Sequence, residues 1–256
     1  MTSHPLLTAF KASKPAFGAW VTIPGIWAAR TAAGASPHLS WLVIDCEHGL
    51  TPLQPGAAES IAAISGLGPN APSTIVRIPA TGACADGSAT WQIKYVLDAG
   101  AKGVLVPMIS TAAQAKSIVK AARFPPQGNR GFGSPFTQAS WGISATDYLA
   151  NANDSVLVLD GIFIGPYDLS LSFEHPAPNP DPVAPIEEKI QAILQAAHKA
   201  GKKCAIYCSS GEQAAQRAAQ GFDMINVTSD SGAMSEGIAR SLAIATGQSV
   251  RKEFGY

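Results

Sequence analysis

The chain has 256 residues and a mass of 26.4 kDa, a size that suits one α/β barrel of about 250 residues or two smaller domains. Hydrophobic residues make up 46% and charged residues 14%, which excludes a disordered chain, and no stretch reads as a membrane span. Eighteen basic residues balance eighteen acidic ones, so there is no overall basic field for nucleic acid or anionic lipid, and small molecules are the expected partners.

From the N-terminus, MTSHPLLTAFKASKPAFGAW lacks an uninterrupted apolar stretch of signal-peptide length, which points to a cytoplasmic protein with reduced thiols. FGAWVTI (17–23) and WLVID (41–45) read as the first two strands, followed by a helix over 54–65. TIVRI (74–78) is the next strand, then a helix over 89–99, the strand GVLVPMI (103–109) and a helix over 111–122. Residues 124–147 combine Gly, Pro and aromatics with little periodicity and are longer than a connector needs, so they read as a functional loop. SVLVLDGIFIG has two strand-like runs with no room for a helix between them and counts as one strand. Residues 174–185 carry five prolines and form an extended surface connection, because Pro neither continues a helix nor donates to a ladder. A helix over 186–200, a strand over 203–208, a helix over 211–220, a strand over 223–228 and a helix over 232–245 complete the chain.

Val- and Ile-rich runs thus alternate with Ala-rich amphipathic stretches, the pattern of βα units around a parallel sheet. Gly100, Gly201 and Gly221 stand where helices should stop. The connections are short and no boundary interrupts residues 1–256, so a single domain is expected. Only seven strands are counted, whereas a barrel of this class needs eight. Cys46, Cys84, Cys204 and Cys208 read as buried thiols, since CAIYC lacks two further ligands at metal-binding spacing.

Barrel enzymes gather their reactive groups at the C-terminal ends of strands. The second strand ends in IDCEHG, which brings Asp45, Glu47 and His48 to that rim, where a histidine flanked by carboxylates is suited to proton transfer. A solvated turn is the alternative. Arg77 amid Ile and Val in TIVRIP either faces an anion such as a 2-oxo-acid carboxylate or pairs with an internal acid. Asp168 in PYDLS either binds a hard cation or caps the next helix.

The runs FGAW, WLVIDCEHG, VRI, IKYVLDAGAKGVLVPMISTAAQA, RFPPQGNRGFG and IFIGPYDLS resemble, in order and over most of the chain, successive blocks of the HpcH/HpaI aldolase family. The resemblance implies a TIM-type (β/α)8 barrel that binds Mg2+ or Mn2+ and holds pyruvate while an enolate forms and attacks an aldehyde. It further implies that His48 is the acid/base histidine, Arg77 the pyruvate-binding arginine and Asp168 a metal ligand. Gly165, Pro166 and Tyr167 are implied to line the carboxylate pocket. Asp45 and Asp98 are implied to support the histidine, Asp98 across a subunit contact in a homo-oligomer.

One departure stands out. The family carries, between the runs matching SVLV and DGIFIG, a Gln-x-Glu strand end whose glutamate is the other metal ligand, and then a helix; this chain has neither. The barrel is therefore expected to be incomplete by one strand–helix unit near residues 158–160. Two functions follow. The chain is a weakened aldolase with the metal on Asp168, water and a substitute such as Glu47, or it is an inactive barrel derivative or shortened gene product that only binds a 2-oxo acid or partner subunits. A lyase acting on coenzyme A esters fits DCEHG less well.

Overall fold

The structure is a computed structural model that describes residues 4–79, 90–158 and 160–249. Cys84, Leu159 and the first residue expected of the 89–99 helix lie outside them.

Among the described residues, seven strands build one parallel sheet: β1 (Ala16–Val21), β2 (Trp41–Asp45), β3 (Ser73–Arg77), β4 (Gly103–Leu105), β5 (Gly161–Ile164), β6 (Lys203–Ile206) and β7 (Met224–Ser229). Their order is β4-β3-β2-β1-β7-β6-β5, so the first and last strands are neighbours and the sheet curls into a nearly closed barrel. Around it run α1 (Pro5–Lys11), α2 (Ile26–Ala33), α3 (Ala58–Ser65), α4 (Trp91–Asp98), α5 (Ala112–Ala122), α6 (Thr137–Trp141), α7 (Ala145–Ser155), α8 (Pro166–Ser172), α9 (Ala184–Lys199), α10 (Gly211–Ala219) and α11 (Asp230–Thr246).

The alternation of strand residues sorts the core into an inside and an outside. Trp41 and Val43 of β2 face the barrel interior with Trp20, Ile75, Ala205 and Met224, while Leu42 and Ile44 face the helices. The indole of Trp41 crosses the interior and donates to the Ala16 carbonyl at 3.0 Å. A Cβ on Gly18 would sit 2.0 Å from its ring, so β1 needs a glycine there.

Leu6 of α1 packs into the base of the barrel with Ile75, Leu157 and Met224. His4 precedes α1 as its cap; its Nδ1 lies 2.8 Å from Ser73 Oγ and its Nε2 3.1 Å from the Ser155 carbonyl. Burial, with a smaller push from the Lys102 charge, lowers the His4 pKa from 6.5 to about 4. The unfolded chain therefore takes up this proton near pH 6.5, while the folded chain resists until about pH 4. Stability from this group is intact above pH 6.5 and falls as pH drops towards 4, by about 3 kcal/mol. Urea midpoints at pH 7 and pH 4.5 should therefore differ less in His4→Gln than in the wild type; equal differences would refute the burial account.

The wall is open between β4 and β5. The run expected as one long strand is divided: Leu157 joins β4 through an isolated parallel bridge to Gly103, and only Gly161–Ile164 forms β5, against β6. Val104 N donates to the Leu157 carbonyl at 3.0 Å and Leu157 N to the Lys102 carbonyl at 2.9 Å. The chain then crosses the seam in a turn where Asp160 Oδ2 accepts from Val158 N at 3.0 Å. One chain cannot serve both ladders, because pairing with β4 and pairing with β6 demand two different strands. Ile162 faces outward from β5 and is 48% exposed, and among the described residues it lacks the helix that would cover it in a complete barrel.

The strand expected over 103–109 stops at Leu105, where Pro107 has no N–H and Met108 takes a left-handed φ of 56°. Part of the 124–147 segment, expected as a loop, is helical. It contains α6 and the start of α7, and Ser134 and Thr137 hydroxyls donate to the Asp98 carbonyl at 2.9 and 2.6 Å. It thus seals the C-terminal end of α4, next to where β4 begins and away from the rim that carries His48.

Candidate active site

The centre of the rim is an arginine held by two acids. Arg77, the last residue of β3, donates from Nε and Nη2 to Asp45 Oδ1 and Oδ2 at 2.8 and 2.7 Å, and its Nη1 lies 3.3 Å from Glu47 Oε2. β2 and β3 pair in register at Asp45↔Arg77, so the ladder itself sets this two-pronged contact. The guanidinium also lies over the Trp20 ring, 4.3 Å from its centroid. The internal ion pair, one of the two readings open for Arg77, is thus present, and the planar fork is turned towards Asp45.

Asp45 organises the turn after β2 as well. Its Oδ1 accepts from the backbone N–H groups of Glu47 and His48 at 3.1 and 3.2 Å. Burial acts to raise the Asp45 pKa, but the Arg77 hydrogen bonds and charge, with those two N–H groups, hold it below the usual aspartate value. Asp45 therefore meets His48 through its backbone N–H. The imidazole instead faces Glu47, with Nε2 3.7 Å from Oε2, and is 69% exposed.

Burial pushes the Glu47 carboxyl up, Arg77 and His48 pull it down, and the negative charges of Asp45 and Asp168 add to the rise; the net shift is upward. Asp168 follows the C-terminal end of β5 and Glu47 that of β2, so both lie at the same rim. Asp168 lies in the first turn of α8, which begins with Gly165 as cap and Pro166 as first residue, and its carboxylate folds back towards Gly165. Tyr167 sits between them. Among the described residues, no group of three or more His, Cys, Asp or Glu side chains is placed to hold a metal ion. The Glu47 carboxylate already faces Arg77 and His48.

Asp98 stands apart. It ends α4, where Arg130 Nη2 donates to it at 2.8 Å and Lys94 pairs with it. Cys46, Cys204 and Cys208 are buried free thiols, and burial pushes each up to about 12, which leaves them inert as nucleophiles or ligands.

Two contributors were missed from the sequence. Trp20, beneath Arg77, is buried, and its indole N–H has no partner among the described residues. Its signal was available, because Gly18 and Trp20 alternate on the inner face of β1 and Trp20 nears the C-terminal end. Asp230 opens α11 and binds the end of β1; the Ser-Asp-Ser run at 229–231 announces a helix start two residues before the expected one.

A parallel barrel with acids, an arginine and a histidine at the C-terminal strand ends is the architecture of a barrel enzyme. Residues 24–236 match the model of the HpcH/HpaI aldolase/citrate lyase family, and the chain belongs to that family. It is 32% identical over 222 residues to the hydroxypyruvate/pyruvate aldolase of Cupriavidus necator, covering 78% of each chain. It is 33% identical over 220 residues to the 4-hydroxy-2-oxo-heptane-1,7-dioate aldolase of Klebsiella pneumoniae, covering 75% of this chain and 77% of that one. Among solved structures, an HpcH/HpaI aldolase/citrate lyase family protein from Burkholderia cenocepacia superposes with a TM-score of 0.82 at 25% identity, over 96% of this chain and all of that one. Among the described residues no helix is long and apolar enough to cross a membrane.

Proposed function

We propose that the chain is a metal-dependent class II pyruvate aldolase, a single-domain cytoplasmic carbon–carbon lyase that splits a 4-hydroxy-2-oxo acid into pyruvate and an aldehyde. The observation that carries this reading is the Asp45–Arg77–Glu47 constellation beside an exposed His48, with the Asp168 charge felt at Glu47. The names of the aldolase relatives support the substrate class.

Asp45 takes two of the five Arg77 N–H groups, so a 2-oxo acid is met by the remaining donors on Nη1 and Nη2. Gly165 and Tyr167 line the carboxylate side with backbone N–H groups, since Pro166 has none. His48, exposed and next to Glu47, moves the proton. Asp168 and Glu47 are hard oxygen donors that suit Mg2+ or Mn2+, with water and substrate oxygens completing the shell. Such an ion supplies charge stabilisation for a developing enolate oxygen.

Asp98 belongs to a second copy's site in this reading. Trp91 and Tyr95, 52% and 43% exposed on α4 two turns and one turn before it, meet edge to face and form an aromatic patch that suits a homo-oligomer contact.

The test is pyruvate release from a 4-hydroxy-2-oxo acid with Mg2+ or Mn2+ and with chelator. Calorimetry should show pyruvate binding at least about tenfold weaker in Arg77→Lys, because a point charge cannot hold both Asp45 and substrate oxygens. Equal affinity would remove Arg77 from the binding role. The open seam and exposed Ile162 favour a second reading, a binding-only barrel derivative. Pyruvate binding without metal-dependent release would select it.

A further inference from the structure

The turn that carries Glu47 and His48 is clamped from two sides. On the inner side, Asp45 accepts from the N–H groups of Glu47 and His48. On the outer side, the Thr22 carbonyl at the end of β1 accepts from Leu50 N at 2.9 Å. The turn is pressed close against this strand end: a Cβ on Gly49 would lie 3.1 Å from both Thr22 Cα and Thr22 O, and 2.4 Å from the Asp45 carbonyl oxygen. Thr22 is therefore the outer wall of the turn.

Thr22 is itself held by one carboxylate, from a helix more than two hundred residues away in sequence. Asp230 Oδ1 accepts from Thr22 N at 2.9 Å and Thr22 Oγ1 at 2.7 Å, and Oδ2 accepts from Ile23 N at 3.0 Å. Ser231, next in α11, adds a hydroxyl contact to Thr22 Oγ1 at 3.0 Å. β1 has ended at Val21, so no ladder orients these N–H groups and Asp230 replaces it.

We propose that Asp230 is a positioning residue: acting through Thr22, it sets the turn that places Glu47 and His48 at the rim. Its carboxylate is spent on backbone and hydroxyl donors. Its effect on turnover rests on the aldolase reading, whereas its effect on the turn does not.

The experiment compares the full chain with Asp230→Ala and Asp230→Asn by three measurements: NMR-detected exchange of the Leu50 amide, solvent exchange of pyruvate methyl protons with Mg2+, and thermal midpoint. In Asp230→Ala the Leu50 amide should lose at least tenfold protection and proton exchange should slow about tenfold. The pyruvate KM should stay within twofold, because Asp45, fixed by the β2/β3 ladder, still holds Arg77 by its two-pronged contact. Asp230→Asn keeps one acceptor oxygen but sets an amide donor against another N–H, so it should fall between, and it carries the test if the alanine variant does not fold. Thr22→Ser, which keeps the hydroxyl and both backbone contacts, should match the wild type in both readouts. A loss of thermal midpoint with unchanged Leu50 protection would overturn the proposal, as would a KM that rises as far as kcat falls. If the wild type exchanges no pyruvate protons, the aldolase reading falls, and Leu50 protection alone decides the role of Asp230.

Discussion

Inserting a Gln-x-Glu strand end and its helix after Val158 is expected to raise metal-dependent pyruvate release about 100-fold over that of the 256-residue chain. The reason lies in the donor set. In the proposed reading Glu47 and Asp168 are the carboxylates that would hold the cation, and Glu47 shares its Oε2 with Arg77 and His48. Mg2+ with so few protein ligands keeps most of its waters and binds weakly. A new strand would also pair with the free edge of β5, and its helix would cover Ile162. The thermal midpoint should rise together with activity. The comparison measures pyruvate from a 4-hydroxy-2-oxo acid at matched protein and metal concentrations. Full activity in the unrestored chain would show that another residue, with Glu47 the first candidate, supplies the second ligand.

Asp45→Ala should be the most damaging single substitution at the rim. It leaves the largely buried Arg77 without its two-pronged partner and frees the backbone N–H groups of Glu47 and His48. Removing one member of such a pair costs about 3–5 kcal/mol. The pH dependence has a definite sign. The folded pKa of Asp45 lies below its ordinary 3.8, so the pair stabilises fully above that value and is lost as pH falls through the lower folded one. Glu47 works in the opposite direction, since its raised pKa means that ionising it above that value costs stability. Acid unfolding of the wild type should therefore include a step that Asp45→Ala lacks. Urea unfolding at pH 7 gives the size of the loss, and a value under about 1 kcal/mol would show that Arg77 finds another partner.

What the sequence made legible follows from which forces act locally. β2 was readable because WLVID is apolar on both faces until the final Asp, and a strand buried on both sides leaves that mark. The missing unit was readable because SVLV and GIFIG stand too close for a helix, and the isolated bridge at Leu157 agrees. The division of that run between two ladders was not, because both halves share one composition while pairing partners are a long-range property. α1, α2, α6 and α8 are eight residues or fewer and gave too little periodicity to register. α7 did carry a sign, Ser144 with Asp147 three residues on, which the Gly- and Pro-rich context masked. At the rim, DCEHG placed Asp45, Glu47 and His48 together, but not the choice of Arg77 to face Asp45, which the β2/β3 register decides.

The open seam has a mechanical consequence. The chain crosses it through a few residues near Asp160, whereas the sheet is continuous the other way round, through the five-residue register of β1 with β7. The sheet thus forms two arcs, β1–β4 and β5–β7, that meet along the β1/β7 ladder like the two jaws of a clasp. Glu47, His48 and Arg77 ride on one jaw and Asp168 on the other. Any opening of the jaws changes the span between the two carboxylates, so an ion shared by Glu47 and Asp168 would fasten the clasp. In the proposed reading, affinity for that ion and closure of the wall would be one equilibrium, with each driven by the other to the same extent.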